Sequence, residues 1–590
     1  MRYLPLLIPL TFYAYWLLEY FYILPLIPQV LQILGAIAIL STLYYFRKTI
    51  LSFLRIKPLL IGLVLYTEFV TLWMYLKYLS FMTFKYDLGI FMQILYTTLY
   101  DHLFFFATPD VPVPNPFQGT AFAVHFSPIL FFVLPFYAVY PSALTLFLVQ
   151  ALISSSPIFI IYAIARLKYD YKKSIIISLS YLLNPALYYA DFYDFHAESF
   201  IPFFFLLTTY FLLLRNWRLF YASLVFTFLI IEATPVLYMF YLPYVLKVAG
   251  LRREVLYSAL LSVGFFILSM VVRYVASFTT PPVLPINPAL DKFNILLGTS
   301  NAFAIYLTLF LLPVLLTPII KILPSLPAFA WLGYGWLSLY FPFFSIYFQY
   351  NYLVLPFFYV SFIEGFGLIK SSNLTKIFAV VLACVVTIFA SQPIFLIPPS
   401  LFVPHIDKPT MVFNEVLAKI PLNEGFVLTQ NSVFPHLANS KYTFMITPPE
   451  KPKYVVLKDY DNINDFKVIA NYSNYKVIAN WYPYFIVLCN CNLSPIFIKP
   501  LNFTFYFNYN GSSLVSNQFL ILLPGKYKFV INSSGNGNVI FYDYYGKAVM
   551  NYSFSRYSEF VVSLNSAVNI QKVVATKEIG ILINVYSLSD

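Results

Sequence analysis

Charge is scarce in this chain: Asp, Glu, Lys and Arg make up 10% of its 590 residues, against about 25% in an ordinary soluble domain. With 60% apolar residues and a mean hydropathy of +0.76, that scarcity predicts a polytopic α-helical membrane protein. Cysteine is scarcer still. The three present, Cys384, Cys489 and Cys491, exclude a disulfide framework and a four-cysteine zinc site. Cys384 falls within an apolar run. Cys489 and Cys491 share one face of a strand-like stretch and read as two unconnected thiols, with a disulfide or a metal site as the alternatives. No cleavable signal peptide is expected, because the first apolar run leads straight into another. There is no Gly-rich phosphate loop, nucleophile elbow or His-Glu-x-x-His motif, which removes soluble ATPase, hydrolase and zincin readings. The net charge of +12 does not point to nucleic acid. Its Lys and Arg before residue 398 sit mostly in short clusters between apolar runs, where they act as topology signals.

What is abundant is aromatic: 21% of residues, read here as interface and packing groups rather than sugar-stacking platforms. Apolar runs predict about 11–13 transmembrane helices, each long enough for a hydrocarbon core of ~30 Å. Arg47, Lys48, Arg55 and Lys57 place the loop between the second and third runs, and with it the N-terminus, on the cytoplasmic side. Residues 81–127 then form an external loop with a Pro-rich stretch at Thr108–Pro116, and 128–141 read as a re-entrant or interfacial segment. Arg215 and Arg218 on one side and Lys247, Arg252 and Arg253 on the other flank a segment that must enter and return, as two short helices broken near Glu232. After residue 398 the chain turns polar. Short β-prone runs between turn residues predict an extracellular α/β-like segment over 399–499 and a β-sandwich-like domain over 500–590. Six glycosylation sequons, at Asn471, Asn492, Asn502, Asn510, Asn532 and Asn551, agree with an exterior tail.

The stretch Asp191-Phe192-Tyr193-Asp194-Phe195-His196-Ala197-Glu198 carries the chemistry. An ionised group in or beside hydrocarbon costs roughly 2.5–3.5 kcal/mol, so such a cluster suggests a water-filled site. Asp87, His125, Asp194, His196 and Glu232 are expected to converge on the outer face. A carboxylate there can act as general base toward an acceptor hydroxyl. A His and carboxylate cluster could instead hold a divalent cation against a phosphate. Each has a plainer reading: Asp87 as a helix cap, His125 as a turn residue, Glu232 as a partner for backbone donors at a broken helix. Asp191 and Glu198 read as solvated loop charges.

Several ordered motifs resemble one family. They are Tyr86-Asp87-Leu88-Gly89-Ile90-Phe91 with Gln93, His125-Phe126-Ser127-Pro128 followed by Leu134-Pro135-Phe136-Tyr137, Gln150, and Asp194-Phe195-His196. Ile420-Pro421, Pro435-His436-Leu437 and Tyr454-Val455-Val456-Leu457 follow. Together they resemble the prokaryotic membrane-protein family called domain of unknown function 2079, itself similar to the GT-C superfamily of integral-membrane glycosyltransferases. The resemblance implies a sugar donor carried on polyprenyl phosphate and an acidic residue in the first long external loop, matched by Asp87. With the convergence of charged groups added, the reading takes Asp87, Asp194 and Glu232 as catalytic candidates and His125, His196, Gln93, Lys85, Arg273 and Tyr350 as substrate-binding ones. One departure stands out: Ile231-Glu232-Ala233 occupies the place of a Lys-Glu-Asp run, which leaves Arg273 or Lys85 as candidate substitutes toward the donor phosphate. A transporter or flippase, or a non-catalytic anchor presenting the external domain, are the competing readings. Membrane lipid is the expected partner in all three, and nucleic acid in none.

Overall fold

The computed structural model describes residues 4–83, 87–108, 119–277, 293–391, 403–445 and 448–458. It also describes 463–588 apart from 473, 482–483, 510–512, 519, 524, 544, 566 and 577–579. The chain divides into two compact units, one of Met1–Ile406 with Ala438–Lys441, the other of Asp407–Leu437 with Tyr442–Asp590.

The first unit is helical. Among the described residues five helices are long and apolar enough to cross a membrane: Pro28–Ser52, Lys57–Leu79, Ala143–Arg166, Arg253–Ala276 and Asn373–Ser391. Shorter apolar helices include Ala233–Ala249 and Leu355–Leu368. The shortness has a local cause. Pro185 and Pro356 stand in the first turn of their helices, where a missing N–H costs nothing, and each interrupts the apolar run that precedes it, while within the Ala143–Arg166 span Pro157 separates the segments Ala143–Ser155 and Pro157–Arg166. Asn184 caps the Pro185–Phe192 helix by accepting from the Ala186 N–H at 3.0 Å, and Asp170 caps Tyr171–Leu183 through the Lys173 N–H at 2.9 Å. The expected break near Glu232 is present, between helices Trp217–Phe228 and Ala233–Ala249. The loop expected over 81–127 is not wholly irregular, since Asp87 opens a helix running to Tyr100.

Helix Arg253–Ala276 displays the inside-out pattern of a lipid-facing element. Its buried residues are Val255, Ser258, Ser262 and Ser269, while Leu256, Leu260, Val263, Ile267 and Val271 are exposed. Small hydroxyl residues let backbones approach and hydrogen-bond across the seam. Tyr238 Oη donates to Ser258 Oγ at 2.8 Å and Ser262 Oγ to the Pro235 carbonyl at 2.6 Å.

The second unit is rich in strands. A six-stranded mixed sheet takes the spatial order Thr443–Phe444, Val427–Thr429, Tyr454–Lys458, Phe485–Cys489, Lys476–Trp481, Phe497–Ile498. Beyond it a four-stranded and a five-stranded sheet enclose one core. Alternation along Gly525–Ser533 sends Tyr527, Phe529 and Ile531 inward, and the antiparallel partner Ile581–Leu588 answers with Ile583 and Val585, paired with Ile531 and Phe529. Cys489 and Cys491 are joined in a disulfide, not left as separate thiols; the two-residue spacing brings their Cα atoms to 5.3 Å, inside bridging range. Cys384 is buried in the helical unit. Of the six sequon asparagines, Asn471, Asn492, Asn502, Asn532 and Asn551 are exposed, and Asn510 lies outside the described residues.

Candidate functional site

The site is built on the turn that follows helix Pro185–Phe192. Asp194 there has φ of +119°, a conformation that costs a non-glycine residue about 1–3 kcal/mol and persists only where neighbours impose it. Gln150, buried in helix Ala143–Ser155, imposes it. Its Nε2 donates to the carbonyls of Asp191 at 3.1 Å and Asp194 at 2.9 Å, and its Oε1 accepts from the His196 N–H at 2.8 Å. One carboxamide therefore satisfies three backbone groups of the turn. Lys77, fully buried in the Lys57–Leu79 helix, donates to the Phe192 carbonyl at 2.5 Å and is an electrostatic neighbour of Asp194.

Asp191 and Glu198 are not solvated loop charges: they are 0% and 5% exposed. Asp191 Oδ2 accepts from Tyr66 Oη at 2.6 Å and Ser154 Oγ at 2.9 Å, and Oδ1 accepts from Tyr352 Oη at 2.5 Å. Three hydroxyls from three distant segments thus replace water around this carboxyl group, which makes it a structural anchor under the turn. Glu198 is an electrostatic neighbour of His125, Glu232 and Asp87, so it belongs to the site.

Above the anchor, His196 meets Asp87. Nε2 lies 3.8 Å from Asp87 Oδ2, and the imidazole packs against Phe91 and Tyr193 at centroid distances of 5.5 and 5.4 Å. Burial pushes the His196 pKa down to about 3, so the ring is neutral near neutral pH and meets Asp87 as a dipole, not as a cation. Asp87, 27% exposed, keeps a solvent-facing edge.

A second cluster forms where the helices break. Glu232 Oε1 contacts His125 Nδ1 at 3.0 Å and Arg273 Nη1 at 3.4 Å, and its Oε2 accepts from the Phe126 N–H at 3.0 Å. Desolvation opposes protonation of His125, but its side chain is 54% exposed and the Glu232 carboxylate 3.0 Å away outweighs that cost, pushing the pKa up to about 9. Desolvation also opposes ionisation of Glu232, whose pKa nevertheless stays below the ordinary value because of His125 and Arg273. The stability His125 contributes is therefore complete below its unfolded pKa of 6.5 and is lost as pH rises through about 9. The share from Glu232 is complete above 4.5 and is lost in acid. Wild type should melt above His125→Gln between about pH 5 and 7, with the gap closing by about pH 10. A gap of constant size across that range would dismiss the ion pair as the cause.

Tyr350 joins the two clusters. Glu198, Asp87 and Glu232 all act electrostatically on its hydroxyl, and its ring rests on Phe343 at 4.6 Å and Trp331 at 5.9 Å. The structure therefore brings together Asp87, His196, Glu198, Glu232, His125, Arg273 and Tyr350. Asp194 lies beneath them, its side chain fully buried near Lys77. Gln93 is fully buried; its Oε1 accepts from the Thr108 N–H and hydroxyl at 2.8 and 3.1 Å, and its Nε2 donates to the Ser440 carbonyl at 2.7 Å. Lys85 lies outside the described residues. Among the described residues no group of three or more His, Cys, Asp or Glu is arranged to hold a metal ion. Lys77 was not among the expected residues; its signal is a lysine inside an apolar run, which must find a carbonyl or an acid.

Helical architecture, apolar spans and a strand-rich C-terminal region together define a polytopic membrane protein. Residues 77–291 match the family described as predicted membrane protein, domain of unknown function 2079. That stretch carries Asp87, His125, Gln150, Asp194, His196, Glu232 and Arg273. No curated protein matches the chain.

Proposed function

We propose that the chain is a membrane glycosyltransferase of GT-C type. It transfers a sugar from a polyprenyl-phosphate carrier to an acceptor hydroxyl on the outer face, with the N-terminus cytoplasmic and the strand-rich region extracellular. The observation that carries this reading is the meeting of Asp87 and His196, 3.8 Å apart although more than a hundred residues separate them in the chain. In the proposed reaction Asp87 takes the acceptor proton as the oxygen bonds to the anomeric carbon. The bond from that carbon to phosphate breaks, and its electron pair leaves with the polyprenyl phosphate. Neutral His196 orients the acceptor. Arg273, held by Glu232, faces the charge that grows on the departing phosphate. Asp194 and Gln150 keep the turn in shape, and Tyr350 bounds the acceptor side.

The helix break before Ala233 is also what a lipid-carrier flippase would use, so the test separates the two. Purified chain in proteoliposomes is given radiolabelled polyprenyl-phosphate hexose and acceptor extract. Transfer by wild type and none by Asp87→Asn is expected. Carrier crossing the bilayer at equal rates in both, without transfer, would replace the transferase by a flippase.

A further inference from the structure

The strand-rich unit contains a cavity of about 580 Å³ lined by Tyr506, Asn508, Tyr509, Val515, Asn517 and Gln518. Its volume falls within the roughly 300–1,000 Å³ of small-molecule sites. It sits at the end of the five-stranded sheet, where edge strand Asn508–Tyr509 pairs with Ser513–Ser516 in the register Asn508 to Val515 and Tyr509 to Leu514. Gln518 fixes the approach to that strand, its Oε1 accepting from the Tyr506 N–H at 2.5 Å and from Ser516 Oγ at 3.2 Å.

The lining selects by what it omits as well as by what it offers. Among the described residues none of the six that line it is charged, so none of them offers a counter-ion to a phosphate, a carboxylate or an ammonium group. Val515 is the one aliphatic side chain among these described residues, little apolar surface for an acyl chain. What remains is two phenol rings, 65% and 52% exposed, beside three carboxamides. The side-chain amides of Asn508 and Asn517 make no hydrogen bond among the described residues, and neither does the Gln518 Nε2. Flat aromatic faces take the C–H face of a pyranose, and carboxamides, donor and acceptor at once, match pairs of sugar hydroxyls. We propose that this cavity is a subsite for a neutral oligosaccharide. It is independent of the Asp87 site, and its ligand is either a separate glycan chain or a glycan carried on the protein's own asparagines.

The test is saturation-transfer NMR on the full chain in nanodiscs, with maltohexaose, cellohexaose, mannohexaose and chitohexaose as probes. Transfer to at least one is expected, with a Kd of about 1 mM. The variant Tyr506→Ala/Tyr509→Ala should weaken it at least about tenfold, while Tyr506→Phe/Tyr509→Phe, which keeps the rings, should change it less than about threefold. Binding by protein with intact sequons assigns the subsite to a separate chain. Binding only after Asn502→Gln and Asn510→Gln assigns it to the protein's own glycan. Silence from all four sugars in both preparations, or equal binding by the double alanine variant, overturns the proposal. Neither result bears on sugar transfer at Asp87.

Discussion

Asp191→Ala is expected to destabilise the helical unit by about 3–5 kcal/mol, the largest stability loss of any single substitution in the site. Removing the carboxyl group leaves the hydroxyls of Tyr66, Tyr352 and Ser154 without their acceptor in a place water does not reach. Each orphaned group costs about 1–3 kcal/mol. Asp191→Asn should cost only about 1 kcal/mol, because its carbonyl oxygen still accepts from Tyr66 and Ser154 while Tyr352 can turn to accept from the amide. Unfolding in mixed anionic and non-ionic micelles, followed by Trp fluorescence, measures both. Equal stability of the alanine and asparagine variants would mean that the hydroxyl cage is not what holds the turn.

The second large effect concerns rate. Asp87→Asn should lower transfer by about 10²–10⁴-fold, the contribution expected of a positioned general base. The amide keeps the size and the hydrogen-bonding edge of Asp87 but cannot accept the acceptor proton, so KM for the carrier should change little. Arg273→Gln should act differently, raising KM for the carrier as well as slowing the step, since a phosphate-facing cation serves both ground state and transition state. A wild-type protein that transfers no sugar from any polyprenyl-phosphate donor, or an Asp87→Asn protein with full turnover, would remove the transferase proposal.

The parts of the fold that could be read along the chain are those fixed by near neighbours. Basic flanks on both sides of an apolar stretch required a return, and the helices do break before Ala233. Short β-prone runs between turn residues in the tail announced a strand-rich region, and one is present. The misreadings share a different cause. Asp191 looked solvated because its partners Tyr66 and Tyr352 stand 125 and 161 residues away, where no local pattern could reveal them. Gln93 entered only through its place in the family motif, and nothing local announced its hydrogen-bond partners. Its partners proved to be Thr108 and the distant Ser440. Cys489 and Cys491 were close enough in sequence to bond, but spacing alone did not decide whether they would.

Helix Arg253–Ala276 carries Arg273 in its last turn and turns most of its circumference outward. The same helix that delivers this cation to the Glu232 cluster therefore presents an apolar outer face. On the proposed transferase reading, a carrier's hydrophobic tail would stay among the lipids while its headgroup reaches Arg273. On that reading, solubility in water sets no limit on the donor.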